Sequence, residues 1–201
     1  MEVYILFGVI ILGCIISLLK NKKPNVNTNS IKNVDTIYYK DLEEKLKEEK
    51  STDGWGVTFN VLIDLFGEER KAKLIIRTEN EISDKQRETY YKFIEKWNKN
   101  FQTQIIEKVI KYYNEDEKFA YGPDDEEELK EWFPDINTVD EMIKQLELQE
   151  IIIPEDFLTK NERWIYLTFN HKWGHDINDN GIGIKFVNEE INEIGFKSIA
   201  Y

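Results

Sequence analysis

Six apolar side chains at alternate positions, Trp55, Val57, Phe59, Val61, Ile63 and Leu65, constrain this chain more than any other feature. Successive strand residues point to opposite faces, so a period of two gathers all six on one side. Gly56, Thr58, Asn60 and Asp64 fall on the other. A strand with one apolar face needs a second layer to cover it. After Gly67-Glu68-Glu69, the stretch from Lys71 to Thr78 returns with Ala72, Leu74 and Ile76 on one face, which predicts an antiparallel hairpin.

The covering layer is also legible. Ser83-Asp84-Lys85-Gln86 is a capping box. Beyond it Tyr90, Ile94, Trp97, Phe101, Ile105, Val109 and Tyr112 step by three or four, which predicts a long helix with one apolar face. Gly122-Pro123 breaks the chain, and the acidic run Asp124 to Glu128 leads into Leu129, Trp132 and Phe133 as a further helix ending at Pro134. Thr138-Val139-Asp140-Glu141 caps a short helix with Met142, Ile143 and Leu146 on its buried side. Strand texture then resumes. Ile151-Ile152-Ile153 ends at Pro154, Ile165, Leu167 and Phe169 alternate, and Ile182, Ile184 and Phe186 alternate before Asn188-Glu189 turns into Ile191 to Phe196. The order strands, helices, strands predicts an α+β fold, an antiparallel β-sheet with helices packed on one face. Between residues 41 and 50, Leu42 and Leu46 at i, i+4 with Glu43 facing Lys47 suit a short exposed helix or a loop.

Ahead of this domain, residues 3–19 carry no charge, and Lys20, Lys22 and Lys23 follow at once. As a helix the run is about 25 Å long, near the lower limit for a bilayer span. Residues 1–20 therefore read as a single N-terminal transmembrane helix, residues 21–34, Asn-rich with one Pro, as a flexible tether, and residues 35–201 as the acidic α+β domain. Lysine bias places the C-terminal domain in the cytoplasm. Glu2 stands where a signal peptide carries its basic residue. The alternative is a lipoprotein with an envelope-facing domain, since Ile11-Leu12-Gly13-Cys14 is lipobox-like, although Ile15 to Leu19 stays apolar past Cys14.

Charge narrows the partner. The chain carries −12 in all. Residues 1–34 hold four lysines against Glu2, a net +3, so residues 35–201 carry −15. That field repels nucleic acid and attracts a basic protein. Asp124, Asp125, Glu126, Glu127 and Glu128 are the candidate partner-binding residues, and the same carboxylates suit a helix N-terminus. Cys14 is the only cysteine, which excludes an intrachain disulfide and a cysteine-based zinc site. No Gly-x-Ser-x-Gly motif and no phosphate-cradling glycine loop occurs. The candidate metal ligands are His171 and His175, the two histidines, with Asp176, Asn178 and Asn180, in a stretch that reads as a loop between strands. Asp176 to Gly181 matches the first half of a calcium loop, but its twelfth position is Val187 rather than a bidentate Glu, and Asn180-Gly181 also suits a β-turn. No cofactor is implied.

Trp55-Gly56 leading to Phe66-Gly67, Tyr121-Gly122-Pro123-Asp124, Ile152-Ile153-Pro154, and Trp173 followed by Gly181-Ile-Gly183-Ile-Lys-Phe and Ile194-Gly195 together resemble a family of bacterial domains classed as domains of unknown function. The resemblance spans about residues 50–201 and brings no catalytic residue with it. It implies a setting like that of immunity proteins encoded beside secreted toxins. The expectation is a membrane-anchored, non-enzymatic protein-binding domain with a basic partner. The alternative to it is a metal-dependent enzyme using the 171–181 loop.

Overall fold

The computed structural model describes residues 36–174 and 181–201. The apolar run 3–19 and the Asn-rich tether lie outside them. No helix among the described residues is long and apolar enough to cross a membrane.

Seven strands form one sheet in chain order: β1 (Ile37–Tyr38), β2 (Val57–Leu65), β3 (Glu68–Ile76), β4 (Leu146–Ile153), β5 (Trp164–His171), β6 (Gly181–Val187) and β7 (Glu190–Phe196). The helices are α1 (Glu43–Glu48), α2 (Asp84–Lys96), α3 (Lys99–Tyr112), α4 (Lys118–Tyr121), α5 (Glu126–Trp132) and α6 (Val139–Gln145). The expected α+β class holds, but the sheet is mixed rather than antiparallel. β1 pairs parallel with β2, and β3 pairs parallel with β4. Parallel neighbours need a crossover, and each pair has one: α1 joins β1 to β2, and the whole α2–α6 block joins β3 to β4.

The β2–β3 hairpin turns at Phe66 and Gly67, both with positive φ, and β6–β7 turns likewise at Asn188 and Glu189. Such two-residue turns match the twist of antiparallel strands. Val57 to Leu65 alternate as predicted, with Val61 and Ile63 fully buried. Trp55 falls before the strand and is 81% exposed. The predicted long helix is two. Trp97 leaves helical geometry, and Asn98 caps α3 by accepting the Phe101 amide at 3.1 Å. The break lets the junction grip the hairpin: Trp97 Nε1 and Gln102 Nε2 both donate to the Asp64 carbonyl, and Gln102 Oε1 accepts the Phe66 amide at 2.7 Å. Residues 43–48 are helical, with Glu43 and Lys47 paired at 2.8 Å, but the helix is docked rather than free, because Leu42 and Leu46 are fully buried.

The main core lies between the helices and one sheet face, where Tyr90, Phe93, Phe101, Ile105 and Val109 meet Leu74, Ile76, Ile151, Leu167 and Phe186. The opposite face is not bare, as a one-sided arrangement predicts. A C-terminal 3₁₀ turn, Lys197–Ala200, folds back over it, and Ala200 and Ile199 pack with Ile152, Tyr166, Ile75 and Trp164. Glycines make the seat. A Cβ on Gly183 would lie 2.8 Å from Ile199 Cγ1 and 2.9 Å from the Phe196 carbonyl oxygen, and one on Gly195 would touch Ile199 at 3.4 Å. Gly183→Ala should therefore cost about 2 kcal/mol in urea unfolding, since the backbone it meets cannot step aside. Unchanged stability would mean the C-terminal turn is not held there.

Candidate functional site

Two regions bring together candidate side chains, one a buried titratable group and the other an exposed acidic surface. The first begins where α3 runs on through a π-helical segment, Tyr113–Glu117, into α4. A π segment inserts an extra residue into the turn and re-aims the residues after it, and such bulges recur at functional sites. Here it turns Glu117 inward, to 4% exposure. His171 is the last residue of β5, in register with Leu146 of β4, and not part of a loop. Its imidazole is buried and stacks on Trp173, ring centroids 4.2 Å apart and planes within 5°. Trp173 Nε1 donates to Glu117 Oε1 at 3.0 Å, and His171 Nε2 stands 3.5 Å from the same oxygen. Tyr113 closes the group edge-on to Trp173, with ring centroids 4.8 Å apart, and its hydroxyl donates to the Pro134 carbonyl at 2.6 Å.

Burial dominates the electrostatics of this group. It pushes the Glu117 carboxyl up and the His171 imidazole down to about 4. Both shifts favour the uncharged forms. Glu117 Oε2 and both imidazole nitrogens lack a partner at hydrogen-bonding geometry. Of the predicted metal ligands only His171 is described; His175, Asp176, Asn178 and Asn180 lie outside the described residues, as does the Asn180 half of the predicted turn. Among the described residues no three His, Cys, Asp or Glu side chains converge as a metal site. Glu117 is hidden in the sequence because it sits among Glu115 and Asp116 and looks like any exposed acid. Its one signal is the four-residue step Val109, Tyr113, Glu117 along the buried face.

The second region is the surface that carries the acidic run. Asp125 is the N-cap of α5 and accepts the Glu127 and Glu128 amides at 2.9 and 3.0 Å. Glu126, Glu127 and Glu128 form the first turn, where carboxylates complement the helix dipole. All five predicted residues, Asp124 to Glu128, are exposed. α5 is drawn against the end of α4 at Gly122, where a Cβ would lie 2.6 Å from Leu129 Cδ1. α4 places two large aromatics in solvent beside this run: Phe119 at 89% and Tyr121 at 59% exposure. Tyr121 meets Phe196 edge-on, with ring centroids 5.2 Å apart, while Phe119 is without a ring contact among the described residues.

A family model described as a domain of unknown function (DUF6985) matches residues 39–201. No curated protein and no solved structure matches the chain.

The buried group makes a pH prediction with a definite sign. A histidine whose folded pKa lies below 6.5 takes up its proton only on unfolding. It therefore weakens the fold as pH falls from 6.5 towards about 4. Glu117 acts in the opposite sense, because the folded chain keeps its proton above pH 4.5. It favours the fold at low pH, and that support is lost as pH rises through its raised pKa. His171→Phe keeps the stack on Trp173 and removes the first effect. Urea unfolding of wild type should lose roughly 2–3 kcal/mol between pH 6.5 and 4 through this histidine, and the variant should show a distinctly shallower slope. Parallel pH profiles would mean the imidazole is already protonated in the fold.

Proposed function

For this chain, which belongs to the DUF6985 family, we propose a protein-binding role, with α4 and α5 as the docking surface and a basic protein as the partner. The observation that carries the reading is the pairing of exposed aromatics with exposed carboxylates. Phe119 and Tyr121 are costly to leave in water, and they lie within a few residues of five solvent-facing acids. Aromatic anchors inside a charged rim are how protein interfaces concentrate binding energy. The charge of −15 over residues 35–201 would steer a basic partner to that surface. The same reading places residues 3–19 in the cell membrane as a single span, with the binding domain in the cytoplasm. Neutralisation of a basic toxin, as by an immunity protein, fits this arrangement. The local capping roles of Asp125 to Glu128 do not compete with it, because a capped helix presents its carboxylates in fixed positions.

A benzophenone side chain at position 119 of the full chain, expressed in its own host, should cross-link to one basic protein. The same group at Lys92 on α2 should not. Asp124→Asn, Glu127→Gln and Glu128→Gln together should slow that association several-fold at low salt, with a smaller effect at high salt, and leave the melting temperature within a few degrees. Asp125 is left intact in this test because it caps the helix. Equal cross-linking at 92 and 119, or association indifferent to the three substitutions, overturns the reading. Deleting residues 3–19 should move the chain from the membrane fraction to the soluble one. Cys14→Ala should not do so, whereas a lipoprotein would be released by it.

A further inference from the structure

The join between β3 and β4 is short, and the space beyond it is open. Pairing runs only from Lys73 with Glu150 to Ile76 with Ile153. β3 continues back to Glu68 and β4 back to Leu146, and these halves do not pair with each other. The cause is local. The β4–β5 register slips between Leu148 and Glu150, leaving Gln149 as an extra residue on β4. Such a bulge bends its strand and raises its twist, here turning the first half of β4 away from β3. α6 ends at Gln145 and passes into β4 with no intervening loop, so the helix holds the strand in that direction.

The consequence is a free strand edge inside the sheet. The Arg77 amide donates to the Ile153 carbonyl at 2.9 Å, so the backbone of Arg77 faces β4. β3 has no bulge against β2, and alternation therefore turns the backbone N–H and C=O of Lys73, Lys71 and Glu69 to the same side. Lys71 and Glu69 lie beyond the last ladder pair, and their groups face the gap. Two cavities open there, of about 580 Å³ and about 360 Å³, sharing Lys71, Glu147 and Leu148. The gap therefore reaches from the helix-covered face, where Ile143 and Leu146 floor the larger cavity, to the opposite face at Asn60 and Lys73.

Its charge runs against that of the chain. Arg70, Lys71, Lys144 and Lys172 line the larger cavity against Glu69 and Glu147. Arg70 is paired with Glu68, and Lys172 Nζ donates to the Lys144 carbonyl at 2.7 Å. The Lys71 and Lys144 ammonium groups form no ion pair among the described residues, and both side chains are exposed.

We propose that the gap between β3 and β4 is a binding site for an extended acidic peptide segment of another protein. The segment pairs its backbone with the free edge at Glu69 and Lys71 and sets its carboxylates against Lys71, Lys144 and Lys172. An unpaired strand edge selects an extended backbone, because main-chain hydrogen bonds supply affinity without regard to sequence. The lysines then select the side chains. Alternate side chains of an added strand would point to opposite faces. The larger cavity offers both kinds of contact, Lys144 and Lys172 beside Ile143 and Leu146, and so a segment that mixes acidic and β-branched residues fits best. This site is separate from the acidic surface of α5, and neither proposal depends on the other.

The probe is a fluorescein-labelled, end-blocked Glu-Val-Glu-Val-Glu-Val peptide titrated with the full chain and read by anisotropy. A protein of net −12 repels such a peptide in general, so binding reports a local site. The peptide should bind, and Lys71→Glu with Lys144→Glu should weaken it at least tenfold. The milder Lys71→Gln with Lys172→Gln, which keeps the fold if the reversals do not, should weaken it severalfold. Methylating alternate peptide nitrogens should abolish binding, and the α5 substitutions should leave it unchanged. Equal binding of the Lys-Val analogue, of the N-methylated peptide or to the substituted chain overturns the proposal. So does no binding at all. A wild-type chain that sediments as an oligomer and becomes monomeric in the Lys71→Glu, Lys144→Glu variant also overturns it, by filling the gap with a second copy.

Discussion

The side chain of Gln86 ties the two halves of the sheet to the helical layer. It is 2% exposed, and it satisfies three backbone groups at once. Its Nε2 donates to the Arg77 carbonyl just past β3, at 2.7 Å, and to the Pro154 carbonyl just past β4, at 3.0 Å. Its Oε1 accepts the Ser83 amide, which completes the capping box of α2. A buried backbone group left without a partner costs about 1–3 kcal/mol. One amide therefore holds the helix start and both strand ends in a single geometry, and any other side chain at position 86 would leave several groups unmet together.

That fixed point matters because β3 and β4 are joined by so little. The strands β1–β3 and β4–β7 are each built by local connections, save for the crossover through α1. Between them stand the four residue pairs from Lys73–Glu150 to Ile76–Ile153, closed at one end by Gln86. The far end is left open by the bulge at Gln149. The same short parallel pairing is thus a structural weak line of the sheet and the origin of the free edge between β3 and β4. Helix packing compensates: Phe93 and Phe101 both reach Phe186 on β6, while Trp97 and Gln102 hold the β2–β3 turn, so α2 and α3 span the join from one side to the other.

The local elements are legible in the sequence because their signals are local. Alternation at 57–65 and 164–171, the capping boxes at Ser83 and Thr138, and the turn at Asn188-Glu189 each depend on residues a few positions apart. The features hidden from the sequence depend on distant partners. Parallel pairing of β3 with β4 is a property of where a block of five helices delivers the chain. Its apolar runs, Ala72 to Ile76 and Ile151 to Ile153, read the same in either orientation. The split between α2 and α3 follows from Asn98, whose cap value only shows once Trp97 is committed to Asp64. Glu117 and His171 are hidden for the same reason: an acid in an acidic stretch and a histidine before Lys172-Trp173-Gly174 carry no mark of burial until the π segment and Trp173 bring them together. The glycines at 183 and 195 belong to the family resemblance, and their physical reason is the C-terminal turn that needs their bare backbone.

Charge is sorted over this fold rather than spread. Acids dominate the exposed surface at α5, and four cations gather where the sheet opens between β3 and β4. A strongly acidic chain gains solubility by repelling copies of itself, and each cation held against that background weakens the repulsion locally. The bulged, helix-led start of β4 holds Lys144 and Lys172 across the gap from the Arg70–Glu68 pair, and Lys71 forms no ion pair among the described residues although Glu69 and Glu147 line the same cavity. Under the two proposals the surfaces would discriminate in opposite directions: a basic partner suited to α5 would be repelled by the lysines of the gap, and an acidic segment suited to the gap would be repelled by α5, so each surface would set specificity against the other's ligand as much as in favour of its own.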